Sequence, residues 1–298
     1  MDIIVKTMQR DSILENVKNI KTWKKHGERA PHKPLLLLLA LGKMQQEKKR
    51  LLSFSEVEED LKNLLESFGP SRKSYHPEQP FVRLPGDGLW ELSNEEFNKK
   101  ANKKLLREAD VKGGFPEEVY QSLAKDPELV RSIAEYLLES EFPDTLHEDI
   151  LMAVGLDLET RIKRKRDPKF RDKVLKAYEY RCAVCGFDVR LKHNPVALEA
   201  AHIKWHQVGG PDSEENGIAL CSMHHKLFDR GVFTLNKSGI LLVSEEANGS
   251  RGLEEWLIKY HDKSIREPIH PNYFPEEAFV KWHVNEVFKD ESRYRIGG

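Results

Sequence analysis

The chain has little cysteine, no long apolar stretch and almost no net charge, and each scarcity excludes a class of protein. Three cysteines in 298 residues leave an odd thiol under any intramolecular pairing, and a secreted disulfide scaffold uses many more. The thiols suit a reducing cytoplasm, with metal or catalytic duty for any that cluster. The longest apolar run, Leu35 to Leu41, has seven residues, far short of the roughly 20 that span a bilayer. No transmembrane helix, signal peptide or membrane partner is expected. With 48 basic against 49 acidic residues the net charge is −1, which on its face speaks against a polyanionic partner.

What is present points elsewhere. The length implies two domains of roughly 150 residues, and 13 Phe, 8 Tyr and 5 Trp are too many aromatics for a disordered chain. The charge balance hides blocks. Met1 to Arg50 holds 12 Lys or Arg against 5 Asp or Glu, Glu139 to Glu159 holds 7 acids and no Lys or Arg, and Arg161 to Arg181 holds 10 basic residues against 3 acids. Two basic segments divided by an acidic one give two surfaces that can face phosphates. A solvated linker would account for the second block equally well.

Residues 1–155 read as helices interrupted by one hairpin. Ser12 with Glu15, and Ser55 with Glu58, have the spacing of capping boxes. Pro34 can open a helix whose Leu35 to Leu41 run is apolar all round, making it the buried centre of the domain. Phe81 to Leu84 and Leu89 to Leu92 flank Pro85-Gly86-Asp87-Gly88 and read as two strands around a turn. Ser93 with Glu96, Asp126 with Pro127, and Asp144 mark further helix starts. After a basic linker at 156–168, residues 169–298 change character. A helix from Pro168 leads to a Cys-x-x-Cys knuckle, then a strand at Val196 to Ile203 and a short helix from Ser222 to Gly231. Phe233 to Val243 reads as a second hairpin, and His283 lies beside an apolar helical stripe, a structural position.

Cys182 and Cys185 are spaced C-x2-C, and Cys221 and His224 are spaced C-x2-H, with 35 residues between the pairs. Each pair can reach one tetrahedral ion, and all three thiols are used. The expected ion is structural Zn2+, because four protein ligands leave no open position. His224 and His225 are adjacent on a helix and diverge by about 100°, so they serve different sites. His225 and Asp229, at i and i+4, share a helix face and offer an imidazole and a carboxylate to one divalent cation.

Leu198-Glu199-Ala200-Ala201-His202-Ile203, Asn216-Gly217-Ile218-Ala219-Leu220-Cys221 and Met223-His224-His225-Lys226-Leu227-Phe228-Asp229 together resemble the HNH nucleases, the three letters matching His202, Asn216 and His225. The resemblance covers about residues 178–245 and implies a ββα-metal fold and phosphodiester hydrolysis with Mg2+ or Mn2+. His202 would take a proton from water, a task its ordinary pKa near 6.5 suits. Asn216 would pin the loop between strand and helix. The position before the base, often a metal ligand in that family, is Ala201 here. Water, substrate phosphate or a displaced Glu199 could fill the gap.

The segments Arg29-Ala30-Pro31-His32-Lys33-Pro34, Phe68-Gly69-Pro70-Ser71-Arg72, Tyr75-His76-Pro77, Pro80-Phe81-Val82-Arg83-Leu84 and Asp87-Gly88-Leu89-Trp90 resemble the sulfur-binding domain that precedes HNH in restriction enzymes directed at phosphorothioated DNA. Sulfur in place of a phosphate oxygen is larger and less strongly hydrated, and it favours an apolar socket near cations. Arg29, His32, Lys33 and Arg72 would hold the surrounding charge, while Pro31, Tyr75, Pro77 and Pro80 would form or support the socket. Helix-breaking duty for the prolines is the bland alternative.

The expected fold is α+β, a mainly helical reader with a small hairpin followed by the ββα-metal domain and its zinc knuckle. The expected function is a prokaryotic, cytoplasmic, modification-dependent restriction endonuclease acting on phosphorothioated duplex DNA. Two alternatives are an HNH nuclease directed at another mark, such as a methylated base, and a zinc-stabilised DNA-binding protein without catalysis. Dimerisation would help both strands to be cut, though no segment specifies a homodimer.

Overall fold

The computed structural model describes residues 2–21, 30–158 and 168–290. Arg29 and the run Arg161 to Arg166 lie outside the described residues. The chain divides into two compact units, the first drawn from residues 1–25 and 29–162 and the second chiefly from residues 163–298. Among the described residues no helix is long and apolar enough to cross a membrane.

The first unit is built around α2. Helix α1 (Asp2–Lys18) runs straight through Ser12, so that residue caps nothing. In α2 (His32–Glu47) every residue from Leu35 to Leu41 is at most 4% exposed. Each fully buried Leu there contributes roughly 1.5–3 kcal/mol of transfer free energy, and other helices must surround it. After β1 (Leu51–Ser53), α3 (Phe54–Phe68) starts with a capping box, but the pair is Ser53 and Glu56 rather than Ser55 and Glu58. Glu58 instead accepts two hydrogen bonds from the Arg107 guanidinium at 2.6 and 2.7 Å.

The expected hairpin at 81–92 does not form. Phe81 to Arg83 belong to α4 (Glu78–Arg83) and Leu84 to Asp87 form a 3-10 turn. Strand β2 (Glu91–Leu92) pairs with β3 (Lys112–Gly114), which also pairs with β1, in the order β1-β3-β2. The central strand contributes Gly113, where a Cβ would lie 2.6 Å from the Trp90 indole nitrogen and 2.9 Å from the Phe81 ring. An edge-to-face chain of Phe54, Phe81, Trp90 and Phe115, with centroids 5.1 to 6.2 Å apart, packs over that bare backbone. A short apolar run is ambiguous between strand and buried helix, and its true neighbour is a glycine strand 30 residues away in sequence.

Helices α5 (Lys103–Glu108), α6 (Glu117–Lys125), α7 (Pro127–Glu141) and α8 (Asp144–Val154) complete the unit. Asp126 caps α7 as expected, accepting from the Leu129 amide at 3.0 Å. Ser93 and Glu96 start only a 3-10 turn, capped by Asn94.

The second unit opens with α9 (Pro168–Ala177), the Cys182–Cys185 knuckle, and a small ribbon of β4 (Arg190–Leu191) and β5 (Asn194–Pro195). Strands β6 (Leu198–His202) and β7 (Gly217–Cys221) pair antiparallel over their full length, from Leu198 opposite Cys221 to His202 opposite Gly217. Helix α10 (Ser222–Asp229) follows without a linker, so the segment is strand, loop, strand, helix. Strands β8 (Phe233–Leu235) and β9 (Leu241–Val243) form the expected hairpin, and α11 (Arg251–Trp256) and α12 (Glu277–Glu286) follow. His283 of α12 is fully buried, bonded to Thr234 and the Phe228 carbonyl, and stacked on the Phe228 ring at 3.7 Å.

Candidate active site and metal centre

Cys182, Cys185, Cys221 and His224 place their ligand atoms within 4.8 Å of one another. His224 Nδ1 lies 3.1 Å from Cys221 Sγ and 3.8 Å from Cys182 Sγ, while Nε2 meets the Trp256 carbonyl at 2.9 Å. A carbonyl only accepts, so Nε2 carries the proton and Nδ1 keeps a lone pair directed at the sulfurs. Sulfur contacts from Cys185 and Cys221 hold the Cys182 thiol well below its ordinary range. The same contacts push the Cys221 thiol up, so without a metal one sulfur gives up its proton only at the expense of its neighbour. Three sulfurs beside an imidazole lone pair fit a tetrahedral metal ion. Among the described residues this is the one group of three or more His, Cys, Asp or Glu donors so arranged.

The neighbouring face carries His202, Asn216 and His225. His202 ends β6, and its ring stacks on Phe170 of α9 at 4.0 Å and 14°. That approach depends on Gly217 opposite, where a Cβ would lie 2.3 Å from Val174 Cγ2. His202 Nε2 lies 2.7 Å from Asp212 Oδ1. When Nε2–H donates to that carboxylate, Nδ1 holds the lone pair that can accept a proton. Burial lowers the His202 pKa, with Asp212 acting against the shift, so the ring is neutral at pH 7.

Asn216 is completely buried. Its Oδ1 accepts from the Lys204 amide at 2.8 Å, and its Nδ2 donates to the Lys204 and Pro211 carbonyls at 3.0 and 2.9 Å. Asn216 therefore clamps the loop that carries Asp212, which joins β6 to β7 and not strand to helix.

His225 lies between two carboxylates. Nδ1 is 2.6 Å from Glu199 Oε2 and Nε2 is 3.1 Å from Asp229 Oδ2. Burial opposes charge on the ring, but Asp229 and Glu199 outweigh it and push the pKa up to about 9. Without an ion the pair is an imidazolium–carboxylate contact, and the same two atoms are close enough that they could serve one divalent cation once the ring gives up its proton. Glu199 sits on the opposite ring nitrogen, held also by Ser222 Oγ at 2.8 Å. Both Glu199 oxygens are thus engaged, one by Ser222 and one by His225, and the contact fixes the orientation of the His225 ring.

In the first unit the expected reader residues are partly gathered. His32 at the start of α2 feels burial, Arg72 and His76, which together lower its pKa to about 4, with Glu78 opposing. Tyr75 Oη accepts from the Arg72 amide at 3.3 Å, and the Tyr75 carbonyl accepts from Lys103 Nζ at 3.2 Å. Buried Glu78 holds His76 Nδ1 at 3.0 Å and faces Lys103 at 3.5 Å. The Lys33 ammonium is 2.5 Å from the nearly buried Asp87 carboxylate. Pro31, Pro77 and Pro80 are buried, whereas His32, Arg72 and Tyr75 keep exposed surface. Asp212, Phe170, Glu78 and Lys103 had no sequence signal. Each meets its partner only through folding of distant segments.

Strand, loop, strand and helix carrying His202 and His225, beside a Cys–His cluster, define a ββα-metal nuclease domain. The family model of HNH endonucleases matches residues 182–236. The family model "ScoMcrA-like, DNA sulfur-binding domain" matches residues 10–159, half of the chain. The chain belongs to the ScoMcrA-like DNA sulfur-binding family and carries an HNH endonuclease domain. Solved structures similar to it include the sulfur binding domain of ScoMcrA complexed with phosphorothioated DNA, at 25% identity and a TM-score of 0.43, covering 48% of this chain and 94% of that one. The sulfur binding domain of SprMcrA complexed with phosphorothioated DNA matches at 24% and 0.44, covering 51% and 96%. The modification dependent TagI restriction endonuclease matches at 22% and 0.30, covering 45% and 41%. No curated protein matches the chain.

Proposed function

We propose that this protein is a modification-dependent restriction endonuclease in which the first unit reads phosphorothioate in duplex DNA and the second hydrolyses a nearby phosphodiester bond. The observation that carries the reading is the joining, in one chain, of a sulfur-binding family domain to an HNH domain in which His202 is held by Asp212 and His225 lies beside Asp229. A binding protein without catalysis would have no use for His202 held by Asp212, nor for His225 and Asp229 at ligand spacing.

His202 Nδ1 accepts the proton of the attacking water, Asp212 steadies the resulting imidazolium, and Asn216 keeps Asp212 in place. His225 Nε2 and Asp229 Oδ2 would hold a divalent cation, Mg2+ or Mn2+, which would supply stabilisation of charge on the phosphate and the leaving oxygen. Glu199, on Nδ1, would fix the His225 ring for that task. Cys182, Cys185, Cys221 and His224 would hold a structural Zn2+, and three cysteines without a disulfide suit a reducing cytoplasm. In the reader, Arg72 and His32 flank the phosphate, and the half-buried Tyr75 offers an apolar face to sulfur.

The test uses matched duplexes, one with phosphorothioate of defined stereochemistry and one without, incubated with the protein and Mn2+ or Mg2+. Preferential binding and cutting of the modified duplex is expected. Equal binding and cutting of both would remove the sulfur reading, and absence of cutting under all conditions would remove the nuclease.

A further inference from the structure

The ribbon of β4 and β5 stands clear of the second unit's core. Arg190 pairs with Pro195 and Leu191 with Asn194, and from 188 to 197 every residue except Pro195 is exposed. Val189, Leu191 and Val196 are 53%, 70% and 43% exposed, three of the nine large apolar side chains so exposed among the described residues. A two-stranded ribbon without a core beneath it is marginal in water. Apolar side chains grouped on such a projection mark a surface that a partner covers.

Charge identifies the partner. Val189 to Leu198 contains Arg190, Lys192 and His193 and no Asp or Glu. Among the described residues no carboxylate pairs with Arg190 or Lys192, and the Arg190 guanidinium is held 5.2 Å over the Tyr180 ring. Unneutralised cations beside apolar side chains on a narrow ribbon match a nucleic-acid groove, whose walls are phosphates and whose floor is sugars and base edges. The major groove is wide enough for a two-stranded ribbon.

Position supports the same partner. The Ser222 amide donates to the Ala197 carbonyl at 3.0 Å, fixing the root of the ribbon to the start of α10. The chain then enters β6, which ends at His202. The eight steps of chain from Asn194 to His202 span at most about 29 Å, less than the roughly 34 Å of one duplex turn. Ribbon and base can therefore reach the same turn of DNA.

We infer that the β4–β5 ribbon is a DNA contact of the nuclease unit, entering a groove within one turn of the scissile phosphate. Arg190 and Lys192 meet backbone phosphates, and Leu191 packs against the groove floor. The inference rests on the proposed reading of this unit as a nuclease acting on duplex DNA.

Salt dependence of binding tests it, with the full chain on an unmodified duplex and no added divalent cation. Each phosphate contact contributes about 0.9 to the slope of log K against log salt. The double variant Arg190→Gln/Lys192→Gln is expected to lower that slope by about 2, while Lys237→Gln, on the exposed β8–β9 turn, leaves it unchanged. Leu191→Ser is expected to reduce kcat/KM on duplex DNA about tenfold, the loss for one apolar side chain withdrawn from contact. Hydrolysis of bis(p-nitrophenyl) phosphate, too small to reach the ribbon, should stay at the wild-type rate. If the wild type cuts duplex and the ribbon variants match it in slope and kcat/KM, the inference is overturned. It is also overturned if the variants change the sedimentation of the protein but not the slope. A wild type that cuts no duplex defeats the nuclease reading instead, and the slope still decides the ribbon.

Discussion

Asp212 Oδ1 lies 2.7 Å from His202 Nε2, and the loop that brings them together is closed by three hydrogen bonds from the buried Asn216 side chain. Asn216 holds a loop, the loop holds a carboxylate, and the carboxylate fixes which nitrogen of His202 is free. If His202 is the base, as proposed, Asn216 acts two steps from the chemistry.

Asp212→Asn follows from that relay. The amide can present its NH2 to Nε2 and move the proton to Nδ1, which removes the base without disturbing the fold. With Asp212 about a third exposed, the expected loss in kcat is on the order of 10–100-fold, within the range for groups orienting an active imidazole, with DNA affinity little changed. The pH profile separates this role from a structural one. Burial already lowers the His202 pKa and Asp212 opposes the shift, so loss of the carboxylate moves the acid limb of kcat to lower pH. An unshifted limb with full activity would take Asp212 out of the mechanism.

His32 gives the reader unit a pH dependence of stability. Its folded pKa is about 4, lowered by burial and by Arg72 and His76, against about 6.5 unfolded. The unfolded chain therefore binds a proton that the folded chain refuses. Stability is nearly complete above pH 6.5 and falls as the pH drops toward 4, by about 3 kcal/mol. His32→Gln should flatten the fall in the urea midpoint of this unit between pH 7 and 4.5. An equal fall in variant and wild type would assign the acid sensitivity to other groups.

What the sequence made legible has a common property: it is local. The C-x2-C and C-x2-H pairs, the i, i+4 spacing of His225 and Asp229 and the Leu35 to Leu41 core are read within a turn or two of helix, and the structure gathers each of them. The errors arose where a local pattern has two solutions. Phe81 to Leu84 is equally apolar as strand or helix, and Gly113, which decides the packing, carries no hydrophobic signal at all. Ser55 and Glu58 satisfy the capping spacing, but so do Ser53 and Glu56, and only the latter pair stands where the chain leaves β1. Asp212 sits in Gly209-Gly210-Pro211-Asp212, a string that reads as turn, and nothing local says which histidine it will face. Nor does any local pattern place Asp87 beside Lys33, 54 residues away in sequence, although the two form an ion pair.

The adjacent histidines His224 and His225 should serve different ions, and metal content can separate them. His224 Nδ1 faces the Cys182 and Cys221 sulfurs while its other nitrogen is tied to the Trp256 carbonyl. His225 lies instead between Glu199 and Asp229. Cys221 closes β7 and His224 belongs to the first turn of α10, so the thiol cluster also fixes the helix that presents His225 and Asp229. Structural zinc contributes about 10–16 kcal/mol of apparent binding free energy, comparable to or above the roughly 5–15 kcal/mol that stabilises a whole domain. His224→Ala is therefore expected to lose zinc and unfold the second unit, abolishing cleavage. His225→Ala is expected to retain wild-type zinc and thermal stability while losing cleavage and the response to Mn2+. Atomic emission on the purified variants, with thermal unfolding alongside, reads both outcomes. Zinc lost from the His225 variant and kept in the His224 variant would reverse the assignment of the two rings.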